Sequence, residues 1–463
     1  MAPLVVAKSE VTRLPRRSFG PPRNDVWIAA FVFLLAGCAF RPETKAPQTL
    51  LEAIRRQIHG GGSGPLSAGA AKVEITPPVG TPLAGYSKRH GKPSVGIRDP
   101  LYVRTLALSD GEDSVLLISA DLLVFPNSLE ERILRQIHEE QKIPRQAVVL
   151  TATHTHSGSG SIAPGFLYEK VFGRYDRSIE ESIAARVSWS VRQALENRKP
   201  VHWGVAQDQR FLEGFVENRA MAGGPADPSL AVLFFGTAEG EPKAIVVNAA
   251  AHPTLMDSQD FRFSADFPGE LCRRMEESYP GAVCLFVNGA AGDERPCDAI
   301  GGTPEERIQR FGGLLAEGAT ALINRVPSHA GGNLAAWGRG YPLPRPQLRL
   351  GPVPVPSRIG RLLLPDSSYL HLIALDDLLL VPLSAELTTD LGVELKQELA
   401  QRGLQPLLAG YAGGYLGYAV TPQRYDTGSY EASMTWYGPN FGRILLEEWL
   451  SLSDLYVEKI HGR

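Results

Sequence analysis

Two histidines separated by one residue, His154 and His156, directly follow an apolar run at 148–152. Residues two apart in an extended backbone point to the same side, so both imidazoles are expected to face one space. Neutral imidazole is a common zinc ligand in proteins. The spacing therefore predicts a pair of metal-ligating or catalytic groups at a strand end, and two exposed loop histidines are the alternative.

Two histidines do not complete a zinc site, and two further strand ends carry side chains of a suitable kind. His252 follows an apolar run at 247–251, and Glu386 follows another at 380–385. Taken alone, His252 is equally consistent with an ordinary loop histidine. A carboxylate at the position of Glu386 more often caps a helix, and a helix is predicted from Thr388 onward.

The elements that must position these groups alternate between strands and helices. The residue patterns predict strands at 70–75, 102–108, 114–120, 147–152, 201–206, 230–235, 243–249 and 283–287. They predict helices at 128–141, 175–197, 268–278, 303–326, 388–402 and 443–455. This alternation indicates the α/β class. The region 329–367, rich in Gly, Pro and Arg, is expected to form a long loop or a hairpin excursion, and strand-like runs return at 369–383.

Composition narrows the class of protein without naming its chemistry. The 463 residues are 43% hydrophobic and 21% charged, which is typical of a globular chain and excludes disordered, collagen-like and coiled-coil proteins. Lys and Arg together number 47 against 50 Asp and Glu, a net charge of −3. Without a basic excess, we expect no nucleic-acid partner.

The N-terminus has the pattern of an export signal. Arginines precede a short apolar run at 26–35, which is shorter than the ~20 residues of a transmembrane helix. The run closes with Leu-Ala-Gly-Cys, which resembles a lipobox whose cysteine, Cys38, carries the lipid. The sequence thus predicts a signal peptide at 1–37, a flexible tether at 38–67 containing a short helix near 50–58, and a catalytic domain at 68–463. The protein is expected to be exported and lipid-anchored in a bacterial envelope, periplasmic or on the outer surface.

Three cysteines remain beyond Cys38, namely Cys272, Cys284 and Cys297. An odd number in an exported protein leaves at least one free thiol. A Cys284–Cys297 disulfide and a Cys272–Cys284 disulfide both stay open.

Several short motifs, in order, resemble the neutral (alkaline, non-lysosomal) ceramidase family. They are Glu74–Pro78, Gly85-Tyr86, Asp99–Tyr102, Thr153–Gly158, His252–Thr254, Ala385–Thr389 and the tyrosine-rich segment Tyr415–Pro439. Together they run from about Ala70 to about Gly442. The resemblance implies central β-sheets flanked by helices, with the site at the C-terminal ends of strands.

The resemblance also implies a role for each matching residue. One zinc ion per chain would be held by four side chains, His154, His252, Glu386 and Tyr418. His156 and Tyr430 would stabilise the oxyanion that develops on the substrate carbonyl, and Glu386 would also take the proton of the attacking water. Arg219, a weaker match, would lie near the substrate. The implied reaction is hydrolysis of an N-acyl amide, with a ceramide-like lipid as the leading substrate.

The sequence departs from the family pattern at two places. Arg295 stands where the family has a serine, so a covalent serine route is excluded there. Arg295 is expected either to bind an anionic group of a different substrate or simply to pair with Asp293 or Glu294.

One amphipathic helix follows Pro439, so the sequence resembles a short bacterial member without the C-terminal β-rich domain of larger ceramidases. Two alternatives stay open: a zinc hydrolase acting on a polar or anionic envelope-derived amide, and a ligand-binding lipoprotein with impaired catalysis.

Overall fold

Apolar strands near the start of the described chain form a five-stranded sheet, the first sheet. The structure is a computed structural model that describes residues 65–350 and 353–460. The strands of the first sheet, in spatial order, are Val148–Ala152, Ser114–Ala120, Tyr102–Ser109, Ser67–Glu74 and Lys199–Pro200. Only the pair formed by Ser114–Ala120 and Val148–Ala152 is parallel, and helix Asn127–Gln141 connects these two strands. A parallel pair needs such a crossover connection.

A second, four-stranded sheet repeats the arrangement. Its strands, in spatial order, are Val283–Asn288, Pro242–Ala249, Leu230–Gly236 and His202–Asp208. The first two are parallel and are connected through helix Asp266–Ser278. Helix Pro304–Ile323 packs on this side of the molecule and begins with a capping box at Thr303.

A third sheet is built from the C-terminal part of the chain. Its strands, in spatial order, are Leu334–Pro342, Ser367–Leu375, Leu378–Pro382 and Gln405–Ala409. The last two are parallel and are connected by helix Thr389–Gln401. Each of the three sheets therefore contains one parallel strand–helix–strand unit.

The ends of these units are tied together by buried polar side chains. The hydroxyl of Ser119 in the first sheet donates to the carbonyl of Phe286 in the second at 2.6 Å. The hydroxyl of Thr151 donates to the carbonyl of Gly410, next to the third sheet, at 2.8 Å. Asn248 of the second sheet donates to Leu408 of the third at 2.8 Å. The three sheets thus meet near the C-terminal ends of their parallel strands, where ligands bind in many α/β proteins.

Further elements complete the described residues. The remaining α-helices are Phe166–Phe172, Arg177–Glu196, Ser357–Leu363, Pro422–Tyr425, Tyr430–Ser433 and Phe441–Ile460, and 3-10 helices lie at Ser87–Arg89, Arg145–Ala147 and Asp298–Ile300. Two-residue or three-residue strands pair as Gly96–Ile97 with Arg262–Phe263, Val216–Asn218 with Glu294–Pro296, Arg349–Leu350 with Val353–Pro354, and Glu386–Leu387 with Tyr418–Ala419. Within the described ranges, no helix is at once long enough and apolar enough to cross a membrane.

The predicted α/β class with sheets flanked by helices is confirmed. The expectation of a loop or hairpin throughout 329–367 is wrong for Leu334–Pro342, which is an edge strand of the third sheet paired with Ser367–Leu375. Within that region Arg349–Leu350 pairs antiparallel with Val353–Pro354, and Ser357–Leu363 is a short helix. The predicted signal peptide, the lipidation site Cys38, most of the tether and the short helix near 50–58 lie outside the described residues.

Cys272, Cys284 and Cys297 are all buried free thiols in the structure. Burial, together with a hydrogen bond that the Cys284 thiol donates to Cys272, raises the pKa of Cys284 well above its ordinary value. Neither of the two disulfides that the sequence left open is formed in the structure. Cys272 and Cys284 lie side by side as reduced thiols.

Candidate active site

His154 lies just beyond the edge strand of the first sheet, in a strained backbone conformation. Its φ of +71° is in the left-handed region, which non-glycine residues seldom adopt. The imidazole Nδ1 lies 2.7 Å from the carbonyl oxygen of Leu123, and the ring stacks on Tyr411 with 3.8 Å between centroids. These contacts fix the ring so that Nε2 faces the centre of the site.

His156 reaches the same space by a different route from the one expected. The segment 153–156 is not a strand, so the alternation of an extended chain does not align the two side chains. The left-handed turn at His154 brings them together instead, and their Nε2 atoms are 3.3 Å apart. The prediction that both imidazoles face one space is correct, but its stated cause is not.

His252 is fully buried and completes a cluster of three imidazoles. Its Nδ1 lies 2.8 Å from the carbonyl oxygen of Ala291, and its Nε2 lies 3.1 Å from that of His154. The ligand atoms of His154, His156 and His252 all lie within 4.8 Å of one another. His252 is therefore part of the site and not a separate loop histidine.

Glu386 directs one carboxylate oxygen at this cluster. Its Oε1 accepts a 2.6 Å hydrogen bond from the hydroxyl of Tyr415. Its Oε2 is buried with no hydrogen-bond partner among the described residues, 3.3 Å from Nε2 of His154 and 3.8 Å from Nε2 of His252. The helix that follows has Thr388 at its N-cap, so Glu386 is free of the capping role that its position alone suggested.

One rule describes how these three side chains are held. In the first sheet, Ser114–Ala120 leads to Leu123 and its parallel partner Val148–Ala152 leads to His154. In the second sheet, Val283–Asn288 leads to Ala291 and its partner Pro242–Ala249 leads to His252. In the third sheet, Gln405–Ala409 leads to Tyr415 and its partner Leu378–Pro382 leads to Glu386. In each parallel pair, one strand leads to a ligand candidate and its partner strand leads to the group that orients it. Such supporting hydrogen bonds fix the tautomer and direction of metal ligands.

The electrostatics of the cluster suit a cation. Burial, with Arg219 nearby, lowers the pKa of His252 well below its ordinary value, and burial with His154 does the same for His156. These imidazoles are therefore neutral near pH 7. Burial opposes ionisation of Glu386, but His154 and the Tyr415 hydrogen bond outweigh it and hold the pKa of that carboxyl low. The neutral imidazole of His252 and the ionised, otherwise unpartnered carboxylate oxygen of Glu386 are donors that fit zinc.

Tyr418 lies beside Glu386 because the two residues are directly paired in a short parallel ladder. Its hydroxyl accepts a 2.8 Å hydrogen bond from Nη2 of Arg219, and the same guanidinium group donates to the carbonyl of Gly292 and pairs with Glu431. Burial and the Glu386 carboxylate raise the pKa of Tyr418 well above its ordinary value. Arg219 thus contacts a ligand candidate, Tyr418.

Tyr430 lies at the edge of the site. Its ring makes an edge-to-face contact with Tyr418 at 5.8 Å, and 62% of the residue is exposed. It is therefore accessible from solvent, whereas Tyr418 is buried.

Arg295 has partners other than those expected. It lies in the strand Glu294–Pro296 and pairs with Glu217 at 2.7 Å and Asp298 at 2.9 Å. Asp293 instead accepts hydrogen bonds from Thr389, Asn218 and Arg424, and Glu294 accepts from Asp227 and Thr389. The expected pairing of Arg295 with Asp293 or Glu294 is thus incorrect. Glu217 and Asp298 also neutralise the positive charge of Arg295, which an anionic substrate would need for binding.

Two aromatic residues that support the site, Tyr411 and Tyr415, were not predicted from the sequence. Tyr411 stacks on His154, and Tyr415 orients Glu386. Tyr415 opens the tyrosine-rich segment, so its neighbourhood was indicated, but no spacing rule assigns a hydrogen bond to it. Tyr411 follows the strand Gln405–Ala409, and its position after a parallel strand was the available signal.

Residues 66–293 match the family described as neutral/alkaline non-lysosomal ceramidase, N-terminal. The resemblance to the neutral ceramidases is confirmed. The neutral ceramidase of Mycobacterium tuberculosis is 24% identical over 259 residues, which cover 50% of this chain and 40% of that protein. The neutral ceramidase of Pseudomonas aeruginosa is 24% identical over 251 residues, covering 50% of this chain and 37% of that protein. The match thus spans less than half the length of these relatives.

Solved ceramidase structures share the fold. The crystal structure of the Pseudomonas aeruginosa neutral ceramidase has a TM-score of 0.75 at 19% identity, over 86% of this chain and 75% of that one. A ceramidase complexed with C2 has a TM-score of 0.74 at 19% identity, over 85% and 76% of the two chains. The likeness extends well beyond the matched family region, since residues 66–293 alone cannot account for this coverage.

Proposed function

We propose that this protein is a zinc-dependent hydrolase that cleaves the N-acyl amide bond of a ceramide-like lipid. The observation that carries the proposal is the cluster of three histidine ligand atoms within 4.8 Å of one another, with the unpartnered Oε2 of Glu386 at 3.3 Å from Nε2 of His154 and 3.8 Å from Nε2 of His252. The similarity to neutral ceramidases supports the choice of an amide bond and a lipid substrate.

The side chains divide into holding and reacting groups. His154, His252, Glu386 and Tyr418 would hold the ion. When bound, zinc supplies Lewis acidity, which polarises a carbonyl and lowers the pKa of water toward neutrality. His156 differs from the other two histidines because its Nδ1 has no hydrogen-bond partner among the described residues. Its ring is therefore less constrained and suits a reacting role.

Each reacting group has a defined task. His156 and the hydroxyl of Tyr430 donate hydrogen bonds to the carbonyl oxygen of the substrate as negative charge develops there. One donor of this kind lowers the barrier by about 3 kcal/mol. Glu386 accepts the proton of the attacking water, and Tyr415 keeps its carboxylate oriented. Arg219 holds the phenol of Tyr418 in place.

The test uses the full chain and two matched histidine variants. We expect one zinc per chain by elemental analysis and release of fatty acid from a short-chain ceramide. His154→Ala should lose both. His138→Ala, at an exposed position on helix Asn127–Gln141, should keep both. Zinc binding without turnover of ceramides would favour a different amide substrate or an impaired ligand-binding protein. Wild-type protein without metal would refute the hydrolase.

We further propose that Cys38 carries a lipid that anchors the exported protein in the cell envelope. The support is the sequence pattern around Cys38 alone. Incorporation of labelled palmitate into the wild-type chain, and its loss in Cys38→Ala, would be the expected result. Equal labelling of both proteins, or of neither, would contradict the proposal.

A further inference from the structure

Exposed apolar side chains are concentrated in the described part of the segment 341–365. Val353 is 62% exposed, Ile359 36%, Leu362 85% and Leu363 44%. The last three lie on the short helix Ser357–Leu363. Isolated exposed apolar residues are ordinary, but a group of them within so short a segment marks an interaction site.

The same segment has a strongly one-sided charge. From Tyr341 to Pro365 there are four arginines and no Asp or Glu, in a protein whose net charge is −3. All four arginines are exposed, namely Arg345, Arg349, Arg358 and Arg361. We call these arginines, together with Val353, Ile359, Leu362 and Leu363, the apolar-basic patch.

The segment that carries the patch packs against the walls of the candidate site. The backbone N–H of Gln347 donates to the carbonyl of Trp436 at 2.7 Å. Trp436 makes an edge-to-face contact at 5.4 Å with Tyr415, the residue that orients Glu386. The patch is thus attached to the site through a short series of direct contacts.

A second contact connects the patch to the segment that carries Tyr418 and Tyr430. The guanidinium group of Arg349 lies 5.1 Å from the ring centroid of Tyr425, which stands between those two tyrosines in the sequence. The hydroxyl of Tyr437, just beyond Tyr430, donates to the carbonyl of Pro365 at 2.9 Å. The segment that carries the patch is therefore in direct contact with the segment that carries Tyr418 and Tyr430.

We propose that the apolar-basic patch docks the protein on an anionic lipid surface. Arginine side chains near such a surface are attracted to its headgroups, and leucine and isoleucine side chains insert among the acyl chains. A second copy of this chain is a poor occupant, because its four arginines would meet four others. The benefit of docking, delivery of a lipid amide to the site, rests on the proposed function, whereas docking itself does not.

The test reports the local environment of the patch in the full chain. A fluorophore sensitive to polarity is attached at Leu362→Cys in a chain that also carries Cys38→Ser, since the other three cysteines are buried. The matched control places it at Trp189→Cys, an apolar residue 47% exposed on helix Arg177–Glu196. Vesicles contain equal parts of phosphatidylglycerol and phosphatidylcholine, or phosphatidylcholine alone.

We expect the label at position 362 to shift to shorter wavelength and at least double its intensity on the anionic vesicles, with no change at position 189. Each basic residue near an anionic surface strengthens binding roughly fivefold. Arg345→Glu with Arg361→Glu should therefore raise the lipid concentration for half-maximal change at least tenfold. No shift at position 362, an equal shift at position 189, or an equal shift on phosphatidylcholine alone would overturn the proposal. The assay has no catalytic readout, so its failure and a failure of ceramide turnover are separate results.

Discussion

The hydroxyl of Tyr415 donates a 2.6 Å hydrogen bond to Oε1 of Glu386, and the other oxygen of this carboxylate faces Nε2 of His154 at 3.3 Å. One side chain therefore decides which oxygen is available to a cation. Hydrogen bonds that orient a ligating carboxylate are part of a metal site, although they never touch the ion.

Removing that hydroxyl should weaken metal binding without removing a ligand. We expect Tyr415→Phe to lower zinc affinity about 10–100-fold, measured by competition with a chromophoric chelator. Tyr437→Phe is the matched control, because its hydroxyl donates to the carbonyl of Pro365 and not to a ligand candidate. Unchanged affinity in Tyr415→Phe would show that the Glu386 carboxylate needs no such support.

Gly292 allows a close backbone approach next to the site. A Cβ placed there would lie 2.8 Å from the carbonyl oxygen of Glu386 and 2.9 Å from that of Leu387. Backbone must move to relieve this overlap, so we expect Gly292→Ala to displace Glu386 and reduce ceramide turnover by roughly tenfold or more, since small displacements in a site carry large costs.

Gly340→Ala is the control for this substitution, because the nearest atom to its Cβ is a backbone oxygen at 3.8 Å. Circular dichroism should show both variants folded. Wild-type turnover in Gly292→Ala would mean that the loop yields without disturbing Glu386.

Two arginines close together in the fold should differ sharply in their effect on stability. Arg424 pairs with Asp293, and both side chains are almost wholly buried, whereas the ion pair between Arg295 and Glu217 is about 40% exposed. Breaking a buried pair leaves an uncompensated charge, so Arg424→Met should lower the free energy of unfolding by about 3–5 kcal/mol. Arg295→Met should cost less than about 1 kcal/mol.

Urea denaturation at pH 7 measures both changes. Similar losses in the two variants would contradict the burial that separates these pairs. Retained ceramide turnover in Arg295→Met would also argue against an anion-binding role for Arg295.

His371 should make stability depend on pH. Burial, with Arg145 nearby, lowers the pKa of His371 to about 3. Below its ordinary value of about 6.5 the unfolded chain takes up a proton that the folded protein does not, so stability falls as pH falls from about 6.5 toward 3.

Replacing the imidazole of His371 should remove its contribution to the pH dependence of the free energy of unfolding. Between pH 6 and pH 4, the free energy of unfolding of His371→Gln should change less steeply than that of the wild type, by up to about 1.4 kcal/mol per pH unit. His138→Gln, at an exposed position, should keep the wild-type slope. Parallel slopes for His371→Gln and the wild type would contradict the assigned cause.

The spacing of apolar residues was sufficient to predict the fold class, because the class depends only on which segments form helices and which form strands. The predicted helix at 128–141 is present as Asn127–Gln141, and the predicted strand at 114–120 is present as Ser114–Ala120. The edge strand Leu334–Pro342 was missed because its Gly and Arg content resembles a loop. Pairing with Ser367–Leu375 outweighs that local preference.

The candidate site was predictable as a set of strand ends but not as a geometry. His154 and His252 were both singled out as strand-end residues, yet the left-handed turn at His154 has no signature in a non-glycine sequence. The partners of Arg295 were misassigned for a different reason. Alternation in the strand Glu294–Pro296 points neighbouring side chains to opposite faces, and Glu217 comes from a strand distant in sequence.

The pairing of each ligand candidate with a support from its own parallel unit has a consequence for how the protein assembles. Leu123 and His154, Ala291 and His252, and Glu386 and Tyr415 are all joined within one unit, whereas the contacts among the ligand atoms join different units. Each sheet can therefore present an oriented ligand before the others arrive. An ion held by ligands from all three units would bind the folded protein and not the unfolded chain, so we expect a saturating ion to delay separation of the sheets during unfolding. Hydrogen exchange should register this as protection gained together in all three sheets.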